Sequence, residues 1–160
     1  MKAWTRRLFV YGTWAMLVLV IGQFVAAGFG VFALFGPNPD GPKGTSFLMY
    51  HAGIGPAIVF LLALVMVALG FIGRLPWRMT GLAAAFIGLV ILQSLLLVPY
   101  HLAADSAAWT PYRFISGLHV VNALVIFWLA LEWPFWTRRD FAAAPVPSEA
   151  QAPPVLAGSA

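Results

Sequence analysis

The chain has 160 residues, 62% of them hydrophobic and only 9% charged, with a mean hydropathy of +0.90. A soluble domain carries roughly a quarter charged residues, so this composition cannot build a water-facing surface and describes an integral membrane protein. The lack of cysteine excludes disulfides, thiolate metal sites and a cysteine nucleophile. The formal charge of +4 sits in short flanks between apolar runs, so it reports topology and excludes a nucleic-acid face.

Residues 1–8 (MKAWTRRL) form a basic flank with a tryptophan. The apolar run at 9–35 then extends for about 27 residues, roughly 40 Å of helix. A basic start and the small residues Ala26, Ala27 and Gly28 also suit a signal peptide, but the apolar core is too long and lacks a clean cleavage site. It is read as an uncleaved first span. The segment 36–45 (GPNPDGPKGT) cannot continue a helix and makes a first outer loop. Span two follows at 47–72, and Pro56 in its first turns predicts a kink near His51. A tight basic turn at 73–78 leads to span three at 79–100, with His101 at the membrane edge. A second outer loop carries Trp109, and Tyr112 opens span four at 112–135, which ends among Trp133, Trp136, Arg138 and Arg139. Residues 1–140 are thus expected to form one four-span membrane domain. The Ala/Pro-rich tail at 141–160 is expected to be disordered and cytoplasmic.

Of the nine basic residues, Lys2, Arg6, Arg7, Arg74, Arg78, Arg138 and Arg139 fall on one side and only Lys43 and Arg113 on the other. This positive-inside asymmetry predicts that both termini are cytoplasmic. The fold class expected is all-α: a four-helix transmembrane bundle, up-down-up-down.

An ionisable side chain inside a span is expensive and marks a functional position. His51 lies in the first turns of span two and His119 at a similar distance into span four, so both sit roughly 7–11 Å below the outer edge. Gln23, Gln93 and Asn122 lie in the same half or near the midplane, and His119 and Asn122, three apart, share a helix face. Two chemistries suit this set. In the first, His51 and His119 are axial ligands of one b-type haem, which takes neutral imidazoles and, with no open position, serves electron transfer. Gln23, Gln93 and Asn122 would then orient the rings, Gly53, Gly55, Gly28 and Gly30 would admit the macrocycle, and Arg113 or Lys43 would pair with propionates. In the second, the same polar residues hydrogen-bond one another and lock the bundle, while Gly22, Ala26 and Gly30, and Ala84 and Gly88, are small-residue packing faces. Other chemistries fail on inventory. Glu132 and Asp140 belong to the opposite end from the histidines, and no cysteine or carboxylate lies at histidine depth to complete a zinc or iron site.

Gln23 within IGQFVAAGFGVF, His51 within YHAGIGP, Gln93 within ILQSLLL, and His119 and Asn122 within GLHVVNALVIF resemble an uncharacterised bacterial family of small four-span integral membrane proteins, a domain of unknown function. The likeness covers residues 10–131 and is most specific in Leu-His-x-x-Asn-Ala-Leu. It implies fold, topology and a bacterial plasma (inner) membrane location, but no activity. A looser similarity is to four-helix di-histidine b-type cytochromes, such as membrane anchors of respiratory dehydrogenases. Two-haem members carry two histidines on each ligand helix, whereas spans two and four here have one each, so the similarity implies at most one haem. The expectation is a redox subunit, not a self-sufficient enzyme, exchanging electrons with quinone or a partner protein and serving as a subunit of a larger membrane complex. The alternative is a non-redox structural or accessory membrane subunit with a buried His/Gln/Asn core.

Overall fold

Backbone groups in hydrocarbon find no water to bond, so an apolar chain of this kind closes its hydrogen bonds within helices. The computed structural model describes residues 3–34, 47, 49–98 and 111–142. Helix α1 covers Ala3–Leu34, and a π-helical turn at Tyr50–Ile54 runs into α2 at Gly55–Gly73. Helix α3 covers Trp77–Leu95 and α4 covers Pro111–Ala142. Among the described residues these four helices are each long and apolar enough to cross a membrane. Between 22% and 28% of each span is buried inside the bundle, which leaves most of the apolar surface for lipid. The two segments expected to be outer loops, the tail beyond Ala142, and Lys43, Tyr100, His101 and Trp109 lie outside the described residues.

Two helices outrun the apolar stretches that predict them. Helix α1 starts at Ala3, ahead of the run from Phe9, and α4 passes through buried Pro134 to end at Ala142. Hydropathy stops at the first charges, but a helix continues through the interface when its arginines find partners. Here they do. The Arg6 guanidinium donates to the Phe141 carbonyl and lies 4.6 Å from the Phe141 ring centre, and Arg138 lies 5.1 Å from that of Trp14.

The α2–α3 connection is a Schellman turn: Leu75 N–H donates to the Gly70 carbonyl (2.9 Å) and Arg74 N–H to that of Phe71 (3.1 Å). The left-handed residue is Arg74 (φ 49°), one place after the glycine that sequence rules would put there. Gly73 is instead needed for packing, because a Cβ on it would collide with Thr5 of α1. Gly12 and Gly70 allow similar approaches to Met66 and Thr80. By contrast, Gly22 and Gly88 have open space where a Cβ would stand, so neither glycine brings these helices together, although Ala26 and Gly30 of the same α1 pattern are buried.

Helix α1 packs against α2 and α4, and α2 against α3; the α3–α4 seam is thinner, and α2 and α4 are diagonal. The apolar core lies toward the basic end. Its centre is Trp133, fully buried, stacked on Phe86 (centroids 4.9 Å, 15°) and meeting Phe9 edge-on (5.9 Å, 80°). Three helices are tied there by aromatic contact, with the Thr137 hydroxyl 3.6 Å from the Met79 sulfur beside them. At the other end aliphatic packing gives way to a polar cluster.

Candidate functional site

Proline at position 56 has no N–H, so the carbonyl of Ala52 loses its ordinary helical donor. The chain responds with a wider turn in which Gly55 N–H donates to the Tyr50 carbonyl. This π turn carries His51, and such turns concentrate at functional positions because they re-aim a side chain. Where the sequence predicts a kink near His51, the chain forms a π-helical turn.

His51 Nδ1 donates to the Gln23 carbonyl of α1 at 3.1 Å. That bond fixes the tautomer and leaves Nε2 as a lone pair. No described residue hydrogen-bonds to that Nε2. Across the bundle, His119 Nδ1 lies 3.4 Å from the Gln93 carbonyl of α3, and its Nε2 accepts from the Gln93 amide at 3.1 Å. Asn122 Nδ2 then donates to Gln93 Oε1 (2.5 Å) and to the Leu89 carbonyl (2.9 Å). The clamp Leu89–Asn122–Gln93–His119 closes the thin α3–α4 seam. Asn122→Leu should lower stability by about 0.6–1.7 kcal/mol, the usual worth of inter-helix polar contacts in membranes, as read by unfolding in mixed micelles.

The two halves repeat one plan. In each helical hairpin, a histidine on the second helix addresses the carbonyl of a glutamine on the first, 28 residues earlier for His51 and 26 for His119. Sequence reading found all four residues but not this recurrence, which the near-equal spacing does encode. The halves differ four residues past each histidine. At Gly55 a Cβ would fall on the Gln23 amide, so glycine lets that amide lie against the α2 backbone, away from His51 Nε2. The equivalent position in α4 is Ala123, which carries a Cβ, and there the Gln93 amide covers His119 Nε2 instead. Gly55→Ala should therefore push the Gln23 amide onto His51 Nε2. Modification of His51 by an imidazole-directed acylating reagent, followed by mass spectrometry, should slow about two- to tenfold, the factor implied by a hydrogen bond worth about 0.5–1.5 kcal/mol.

Between the hairpins lies a cavity of about 310 Å³, into which Gln23, His51, Gln93 and His119 all face. The two imidazoles stand across it with centroids 6.3 Å apart and ring planes perpendicular. Phe24 and Val120, also in its wall, are 38% and 60% exposed, so it opens sideways toward lipid. Within it Gln23 Oε1 is buried without a hydrogen-bond partner, an acceptor waiting for a donor. Gly28 and Gly53 have open space around them and do not wall the cavity closely. Arg113 falls on α4, but its side chain, like those of Tyr112 and Ser116, lies outside the described residues. No cluster of three or more His, Asp, Glu or Cys forms among the described residues.

Comparison with known proteins returned no match: no family model, no curated protein and no solved structure. The likeness to small four-span membrane proteins rests on the quoted motif residues alone.

Proposed function

We propose that this protein is a b-type haem-binding electron-transfer subunit of a bacterial inner membrane, with His51 and His119 as axial ligands. The observation that carries the proposal is the pair of imidazoles that line one cavity between apolar helices, with ring centroids 6.3 Å apart. With their ring centroids 6.3 Å apart, His51 and His119 are the residues that would hold the haem iron between them. His51 already holds the ligand tautomer, with Nδ1–H on a backbone carbonyl and Nε2 open. His119 would supply its nitrogen only with the Gln93 amide off Nε2, to which it is now hydrogen-bonded. Bound there, the haem supplies one-electron chemistry. Gln23 and Gln93 orient the rings, Asn122 holds Gln93, and the apolar wall excludes water and sets the potential. Arg113, in the first turn of α4, is assigned to a propionate. The chain crosses the membrane up-down-up-down with both termini cytoplasmic, which puts the histidines near the outer face and leaves quinone or a redox protein there as the exchange partner.

The Gln93 amide on His119 Nε2 specifically favours one alternative: a non-redox accessory subunit whose polar residues only lock the helices. A reduced-minus-oxidised absorption spectrum of protein purified from haem-replete cells separates the two. A b-type spectrum at about one haem per chain is expected; a colourless protein leaves only the accessory role.

A further inference from the structure

A second cavity, of about 500 Å³, opens at the basic end of the bundle, remote from the histidines. Its wall includes Trp77 and Arg78 from the first turn of α3 and Trp136, Arg139 and Asp140 from the end of α4. Neighbouring arginines are engaged, Arg6 with Phe141 and Arg138 with Trp14. Arg78 and Arg139 make no hydrogen bond, ion pair or ring contact with any described residue. Two guanidinium groups directed at one cavity repel each other unless an anion sits between them. Asp140 forms no ion pair with either and leaves one net positive charge. The start of α3, which no side chain caps, adds to the same field. Trp77, 82% exposed, and Trp136 flank the opening as residues at headgroup depth do.

We propose that this cavity binds the headgroup of an anionic phospholipid of the phosphatidylglycerol type. Its single negative charge matches the single net positive charge of the wall. The guanidinium forks of Arg78 and Arg139 suit a phosphodiester's oxygens, and the headgroup glycerol supplies hydroxyl donors to the Asp140 carboxylate. The acyl chains run past Leu82 along the outer face of α3. A zwitterionic headgroup brings no net charge to balance the two arginines and is bound less well.

The test is native mass spectrometry of the full chain from nanodiscs of equal phosphatidylglycerol and phosphatidylcholine. Wild type should retain phosphatidylglycerol in preference. Arg78→Gln/Arg139→Gln should lose that enrichment by roughly 30-fold, the product of what two basic residues contribute at a membrane surface. Arg7→Gln/Arg74→Gln removes the same charge from the same end but outside the cavity, and should stay within about threefold of wild type. Equal loss in both double variants would mean diffuse attraction to the basic end and overturn the site. So would equal retention of the two lipids by wild type. Displacement of the lipid by millimolar inorganic phosphate would show that the anion comes from solution and overturn the lipid assignment.

Discussion

If the cavity holds the proposed haem, His51→Ala should abolish the visible spectrum of the purified protein, whereas His119→Ala should leave a weaker, altered one. The difference comes from how each imidazole is held. His51 has Nδ1 tied to the Gln23 carbonyl and its other nitrogen free, so it needs no rearrangement to coordinate iron. His119 must first give up the Gln93 amide. Supporting partners of a ligand are worth about 10–100-fold in affinity, and loss of the ligand itself should exceed that range. In His51→Ala, the one other described histidine is covered by Gln93, so retention should fall below detection. In His119→Ala, the residue with the open nitrogen survives, and a weaker spectrum of altered shape should replace that of wild type. If His51→Ala keeps the wild-type spectrum and stoichiometry, the ligand assignment is wrong.

Trp133→Ala should cost about 3–5 kcal/mol, the range for deleting a large buried aromatic side chain. The ring contacts Phe86 on α3 and Phe9 on α1 from its own place on α4, so truncation opens a void where three helices meet. Lipid cannot refill it, because the position is fully buried. Helix association in a membrane relies on dispersion contacts of this kind, which a void removes outright. The indole Nε1 has no hydrogen-bond partner, so Trp133→Phe removes an unsatisfied donor along with part of the ring and should cost less than half as much. Reversible unfolding in mixed micelles reads both variants. A Trp133→Ala protein within about 1 kcal/mol of wild type would show that the aromatic cluster does not hold the bundle together.

The spans were legible in the sequence because hydropathy reports transfer into lipid, and that cost decides where helices lie. Their ends were less so. At Trp4–Arg7 and Trp136–Arg139 the side chains leave the hydrocarbon while the backbone stays helical, and only the contacts of Arg6 and Arg138 show why. At the site, His51, His119, Gln23, Gln93 and Asn122 stand out as polar groups in apolar runs; the first four line one cavity and Asn122 hydrogen-bonds to Gln93 behind it. Which ring nitrogen is tied and which is open could not be read from residue types, because it depends on the π turn that Pro56 imposes and on the missing Cβ of Gly55. Two of the packing glycines were misassigned for a related reason. A small-xxx-small pattern names a helix face without saying what that face meets, and Gly22 and Gly88 meet no neighbouring helix.

The paired Gln–His plan carries one more implication. Two identical two-helix proteins related by a true dyad would have to treat both imidazoles alike, since symmetry copies every environment. Joining the halves in one polypeptide lifts that restriction, and the difference between Gly55 and Ala123 makes use of it. One nitrogen is presented and its counterpart is sheathed, so whatever occupies the space between them meets two unlike faces and can be held in only one sense.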